Sequence, residues 1–348
     1  YEQLDRVFAE RERPPDQVSE PIRLARAASA LLAERKDRTR LDVTSSEPGF
    51  SFDDEGNVTS ASADVQTEAH RLIEHLMVLV NEQVAELLQQ CRTPTLYRVH
   101  EQPDPDRIAR LAEQLASLNL PAPAVVDGMG PAAAGEFAVE ASRTIAAEAG
   151  RRGHGAVPFG SLVLRSLKPA RYSSRNLGHA GLGSEAYCHF TSPIRRFPDL
   201  LVHRGLLSEV GGGEEAPDPG EVGDAAEHCS DREREAARIE RDADDVCAAF
   251  LLERELFDSG WHSHFEGEVS GVIGAGAFVT FGGELGDVYE GFIPVRRMRG
   301  DHYDLNQEET ALIGSRKGKA VRFGDPVTVR VRRVDAVRGR VDLDPADG

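Results

Sequence analysis

The stretch "AYCHFTSPIRRFPDLLVHR", residues 186–204, brings Arg195, Arg196, His203 and Arg204 together. Guanidinium forks match the paired oxygens of a phosphate or a carboxylate, so the chemistry on offer is anion binding. Spacing alone also fits a surface helix. Pro193 suits its first turn, with Thr191 or Ser192 as the cap. Ile194, Phe197 and Leu201 would share an apolar stripe, and Arg195 and Asp199, four apart, would pair. Pro198 would then kink the helix.

The remainder of the chain sharpens the question. Its 348 residues carry a net charge of −18, which taken globally opposes nucleic-acid binding. The charge is uneven. Residues 151–204 hold nine Lys/Arg against two Asp/Glu, and residues 296–340 hold twelve against six. Two basic segments in an acidic shell suit an anion channel. The four cysteines, Cys91, Cys188, Cys229 and Cys247, form no metal-binding spacing and read as reduced thiols. There is no signal-peptide pattern and no apolar run near the ~20 residues of a membrane span. A cytoplasmic, monomeric protein with no membrane partner is expected.

The elements that must position these residues follow from periodicity. Helices are expected over 20–37, 64–90, 105–118 and 131–149, and two strands over 41–60 joined by a turn at Asp54–Asn57. The run 211–221 reads as a loop. Ser230 and Glu233 give a capping box for a helix reaching Leu256, with Ile239, Val246, Phe250 and Leu251 as its buried stripe. After residue 260 the pattern turns Gly-rich and alternating, as in a small β-barrel. The expected class is α+β, with domains at 1–258 and 259–348.

The residues carry more than spacing. "YCHFTSPIRRFPDLLVHR" closely resembles the signature of the ribonuclease II/ribonuclease R (RNB) family of 3′-to-5′ exoribonucleases. "LIEHLMVLVNEQVAELL" (72–88), "TPTLYRVHEQPDP" (93–105) and "VLRSLKPARYSSRNLGHAGLG" (163–183) are similar to other segments of that family, in family order. "GAFVTF" and "GFIP" resemble the S-one-type OB barrel that closes these enzymes. The resemblance implies a partial RNB catalytic domain, helices packed on a mixed sheet, followed by an OB-fold barrel.

It also implies roles. Arg195 matches the arginine that contacts the scissile phosphate, and Glu74 an acidic position near the leaving nucleotide, although His75 stands where a second acid is frequent. Tyr1 matches a base-stacking tyrosine. Arg165, Lys168 and Tyr172, in a segment read as extended, are expected along the RNA path with His189, Thr191, Ser192, Arg196 and Arg204. Phe278 and Phe281 are expected to stack on RNA, and Arg340 lies near the barrel pattern's last arginine. Residues three apart on a strand face opposite ways, so one phenylalanine is expected in the core. Pro294 replaces a frequent histidine.

Phosphodiester hydrolysis needs metal-activated water, charge at the phosphorane and a channel for RNA. The family's Mg2+ is held by an Asp group spaced as DxxxxxDxDD. Asp53–Asp54 and Asp244–Asp245 lack that spacing, so these residues supply no metal site, and the Asp group is expected upstream of Tyr1 in a longer protein. The expected activity of that parent is processive two-metal hydrolysis of single-stranded RNA to nucleoside monophosphates. The alternatives are a non-catalytic RNA-binding protein on the same scaffold and an acidic protein-interaction module.

Overall fold

The computed structural model describes residues 1–36, 41–43, 48–63, 66–126, 128–282, 288–298 and 300–346. In chain order the helices are α1 (Glu2–Phe8), α2 (Asp16–Lys36), α3 (Glu68–Cys91), α4 (Pro105–Ser117), α5 (Pro131–Arg152), α6 (Ala156–Ser166), α7 (Phe197–Glu209) and α8 (Pro219–Ser259). The strands are β1 (Pro48–Phe52), β2 (Val58–Ala63), β3 (Tyr97–Val99), β4 (Arg171–Ser173), β5 (His264–Ile273), β6 (Gly276–Phe281), β7 (Tyr289–Pro294), β8 (Tyr303–Leu305), β9 (Ala311–Gly314), β10 (Ala320–Arg322), β11 (Pro326–Asp335) and β12 (Arg340–Pro345). The α+β class holds. Contacts divide the chain into two units that interleave along the sequence.

The first unit comprises residues 1–40, 65–102 and 168–235. Its ruler is α3. Thr67 opens it with a capping box shared with His70, and Arg92 closes it in the left-handed conformation. Leu72, His75, Val78, Ala85 and Leu88 recur on its buried side. The C-terminal half of α3, through Val84, Ala85 and Leu88, meets β3, α7 and the start of α8 at Leu96, Tyr97, Leu201, Val202, Val222 and Cys229, and its N-terminal half meets α1 and α2 through Leu72 and His75. β3 and β4 pair antiparallel, Arg98 opposite Tyr172.

The second unit comprises residues 41–64, 103–167 and 236–348. β5, β6, β7, β12 and β11 close into a barrel in that order, with β11 returning to β5. All its pairs are antiparallel except β12 with β7, the arrangement of a Greek-key OB barrel. A three-stranded sheet, β8–β9–β10, lies between β7 and β11 in sequence. Helix α6 docks on the barrel through Phe159. A Cβ on Gly155 or on Gly324 would sit 2.1 Å from that ring, and both glycines have positive φ. Only glycine lets the ring seat there.

Three local expectations are corrected. α8 begins at Pro219, not at Ser230. Ser230 lies inside the helix, where its Oγ donates to the Ala226 carbonyl and accepts from the Tyr172 N–H. The stripe of Ile239, Val246 and Phe250 is exposed, and α8 packs on the barrel through Ala249, Leu251, Leu252 and Leu256. Arg165, placed with Lys168 and Tyr172 in a segment read as extended, instead lies in the last turn of α6; Pro158 falls in the first turn of that helix, where a missing N–H costs nothing.

Candidate nucleic-acid interface

The signature is built differently from the helix its spacing suggested. Residues 193–195 form a turn, and α7 starts at Phe197 with Pro198 in its first turn, so no kink arises. The carboxylate that organises it is Asp199, 0 % exposed. Its partner is Arg196, not Arg195. Arg196 Nε donates to Oδ2 and Nη2 to Oδ1, each at 2.9 Å. Asp199 Oδ1 also accepts the Ser192 N–H at 2.8 Å. Arg195, on the turn between these anchors, is exposed and has no ion pair among the described residues. The apolar side chains around it split: Leu201 is buried, while Ile194, Phe197 and Leu200 face outward.

The segment before the turn, residues 187–190, has no regular secondary structure and is held by side chains. Asn81 of α3 donates Nδ2 to the Tyr187 hydroxyl and accepts the Phe190 N–H at Oδ1, both at 3.0 Å. His203 of α7 stacks on Phe190 at 4.1 Å between ring centroids and bonds its carbonyl through Nε2 at 2.9 Å. Tyr172 and His189 share a 2.8 Å hydrogen bond. Arg98 lies over the Tyr172 ring and pairs with Glu233 at 2.5 Å.

Electrostatics follow from burial beside fixed cations. Burial, then Arg196 and Arg98, push the His189 imidazole down to about 3, so it is neutral and cannot bind a phosphate as a cation. Burial raises Tyr172 to about 12 and the Cys188 thiol to about 12. Cys188 donates to the Asn81 carbonyl and is no nucleophile. The site can stabilise negative charge; its side chains present no activated nucleophile.

The other expected residues are distributed as follows. Glu74 is half-buried on α3 and Lys168 half-buried ahead of β4, while Thr191 is half-buried with a buried Oγ1 that has no hydrogen-bond partner among the described residues. Arg204 pairs with Glu221 at 3.1 Å. Tyr1 is exposed and stacks on His70, ring centroids 4.1 Å apart. In the second unit, Arg165 ends α6 with its guanidinium over Phe323, and Arg340 is exposed at the start of β12. Two expectations fail on burial. Tyr172 is packed in the first unit's core, and Phe281 is wholly enclosed in the barrel against Phe265 and Tyr289. Neither ring is open to a base. Phe278 is only partly buried, and its cross-strand partner is Phe292, at 5.0 Å between centroids. Phe292 escaped the sequence reading because the pair forms across two strands; the alternation of β7 is the signal that would have found it.

A divalent metal does not fit the residues on hand. Among the described residues no group of three or more His, Cys, Asp or Glu could hold one. Asp53 is engaged with Asn57 in its turn, which holds its carboxyl low. Asp244 and Asp245 on α8 are held above the usual carboxylate range, by burial first and then by acidic neighbours.

Comparison with known proteins agrees with this architecture. The RNB domain matches residues 1–210. Ribonuclease R 1 of Lactococcus lactis is 31% identical over 90% of this chain and 37% of its own length. Ribonuclease R of Aquifex aeolicus is 33% identical over 93% of this chain and 44% of its own length. The chain thus spans about two-fifths of these relatives. The structure of Mycoplasma genitalium RNase R in complex with ribose-methylated single-stranded RNA superposes with a TM-score of 0.86 at 25% identity, covering 99% of this chain and 52% of that one. Yeast Ssd1, a pseudonuclease, matches with a TM-score of 0.61 at 16% identity over 90% of this chain and 37% of that one, a likeness of fold alone. The signature turn, the OB barrel and the match over residues 1–210 place this chain in the RNB-domain family.

Proposed function

We propose that this chain is the RNA-channel and phosphate-contacting part of a 3′-to-5′ exoribonuclease, which hydrolyses single-stranded RNA processively to nucleoside monophosphates. The observation that carries the reading is Arg195: an exposed guanidinium with no ion pair among the described residues, on a turn fixed by the buried Arg196–Asp199 pair. A developing phosphorane charge is divided between oxygens, and a rigidly presented fork matches it without reorganisation. Glu74 is assigned to the leaving-nucleotide end. Tyr1, Arg165, Lys168, His189, Thr191, Ser192, Arg204 and Arg340 are assigned to the RNA path, while Arg196, expected there from the sequence, is engaged by Asp199 and holds the turn. The Phe278–Phe292 pair is assigned to base stacking, which is tolerant of sequence. His189 acts there as a neutral hydrogen-bonding group.

Magnesium and a two-metal mechanism belong to the proposed activity of the whole enzyme. No step is assigned to metal through these residues, because no ligand group is found among those described. Nor is any described helix long and apolar enough to cross a membrane. A cytoplasmic monomer is part of the proposal.

The second reading is a non-catalytic RNA-binding protein. It would use the same Arg195 turn and Phe278–Phe292 pair for binding alone. One assay separates the two. The natural full-length polypeptide is given 3′-labelled single-stranded RNA with magnesium, and release of the labelled mononucleotide is followed beside binding. Release supports the enzyme; binding without release supports the second reading. An acidic protein-interaction module would show neither, and no steep fall of affinity with salt.

A further inference from the structure

We infer that Asn81 is a positioning residue: one buried amide on α3 fixes residues 187–190 and thereby sets where the Arg195 turn stands relative to Glu74. This rests on the reading of Arg195 given above. Asn81 is 2 % exposed. Its Oδ1 faces a backbone N–H, that of Phe190, so the oxygen must be the acceptor there. That orientation turns Nδ2 to the Tyr187 hydroxyl. The main-chain carbonyl of the same residue accepts from the Cys188 thiol. Three groups of one segment are thus tied to one residue more than a hundred positions earlier.

Beside this amide, Cys188 packs in one core cluster with Val84, Ala85 and Leu88 of α3, and Glu82 of α3 accepts from the Ser184 hydroxyl just upstream. The segment has no strand or helix of its own. Other anchors of the segment go elsewhere: the Arg98 N–H to the Tyr187 carbonyl, Tyr172 to His189 and His203 to the Phe190 carbonyl. Asn81 also lies seven residues after Glu74. Seven residues is nearly two full turns, about 10.5 Å along the axis, so both stand on one side of the helix. One rigid helix therefore carries the acidic residue directly and, through this amide, the segment that leads into the arginine turn. Both ends of a buried amide are engaged by one segment, which leaves that turn little slack.

The test is made in the natural full-length polypeptide, with Asn81→Ala, Asn81→Asp and Tyr187→Phe assayed for RNA hydrolysis, binding and thermal stability. Asn81→Ala is expected to lower kcat about 10²-fold per folded molecule while KM stays within about 3-fold, the mark of misplacement. Asn81→Asp is expected to recover most of the loss. Its carboxylate accepts from both the Phe190 N–H and the Tyr187 O–H in the same geometry. Tyr187→Phe keeps the ring and removes one anchor, with kcat expected to fall several-fold. Proportional changes in kcat and KM, or activity loss explained by the unfolded fraction alone, would overturn the inference. Should Asn81→Ala not fold, an unchanged kcat in Tyr187→Phe overturns it. Arg195→Ala runs alongside. If it loses turnover and the Asn81 variants do not, the inference alone fails. If Arg195→Ala itself keeps turnover, the functional reading fails.

Discussion

Arg196 and Asp199 form a two-point ion pair with a wholly buried carboxylate, and the neighbouring Arg195 faces outward with no ion pair among the described residues. Two adjacent arginines of one motif thereby have opposite duties. One satisfies a buried charge; the other is available to a ligand.

Their substitutions should separate accordingly. Arg195→Ala is expected to lower turnover ~10²–10³-fold, with RNA affinity within a few-fold and stability unchanged, because its charge is aimed at the transition state. Equal losses in binding and rate would remove the catalytic role. Arg196→Ala strands the Asp199 carboxylate without its cation, and breaking one side of a buried pair costs about 3–5 kcal/mol. Denaturant unfolding of the two variants side by side checks the contrast.

The barrel offers a parallel pair. Phe278→Ala or Phe292→Ala is expected to weaken single-stranded RNA binding by ~1–3 kcal/mol with little change in melting temperature. Phe281→Ala empties a site inside the barrel core and is expected to cost about 3–5 kcal/mol of stability. If Phe278→Ala melts early and binds RNA normally, the pair is structural.

How much of this was legible in the sequence depends on the range of the interaction. Helix α4 announces itself, with Asp104 as cap and Pro105 in the first turn, and so does α3 by its periodicity. The alternation of β6 already required Phe278 and Phe281 to face opposite ways. The Arg195–Asp199 pairing failed because it assumed that residues 193–196 were helical. With a turn there, the partner three residues before Asp199 takes the carboxylate instead. Asn81 could not be found at all. Its partners are 106 and 109 residues away, and in the sequence it is one polar residue on a largely apolar helix face.

Protonation of His189 gives a pH dependence with a definite sign. Its folded value is about 3 against an ordinary 6.5, so between those limits the unfolded chain binds the extra proton. The stabilisation is complete above about pH 6.5 and is lost progressively as pH falls toward 3. A single proton contributes up to about 1.4 kcal/mol per pH unit in that window. His189→Gln is expected to flatten the fall of the urea midpoint between pH 6.5 and 4.5 relative to the unsubstituted protein. Parallel curves for the two would show that another group carries the dependence.

The last prediction concerns where the barrel can be separated. A cut at 258/259, where the sequence changes from helical to alternating, runs through a shared core. Leu252 and Leu256 of α8 are fully buried in the same cluster as Phe265, Val269 and Tyr289 of the barrel. The Tyr289 hydroxyl also donates to Glu255 at 2.9 Å. Removing α8 would uncover the barrel surface those leucines occupy, at about 1.5–3 kcal/mol for each. A peptide of residues 236–348 is therefore expected to unfold at clearly higher denaturant than one of residues 259–348. The shorter peptide should also bind more of a hydrophobic dye, because apolar surface is left open. Equal midpoints would mean that the five strands close a self-sufficient core, and that the α8 leucines serve the helix rather than the barrel.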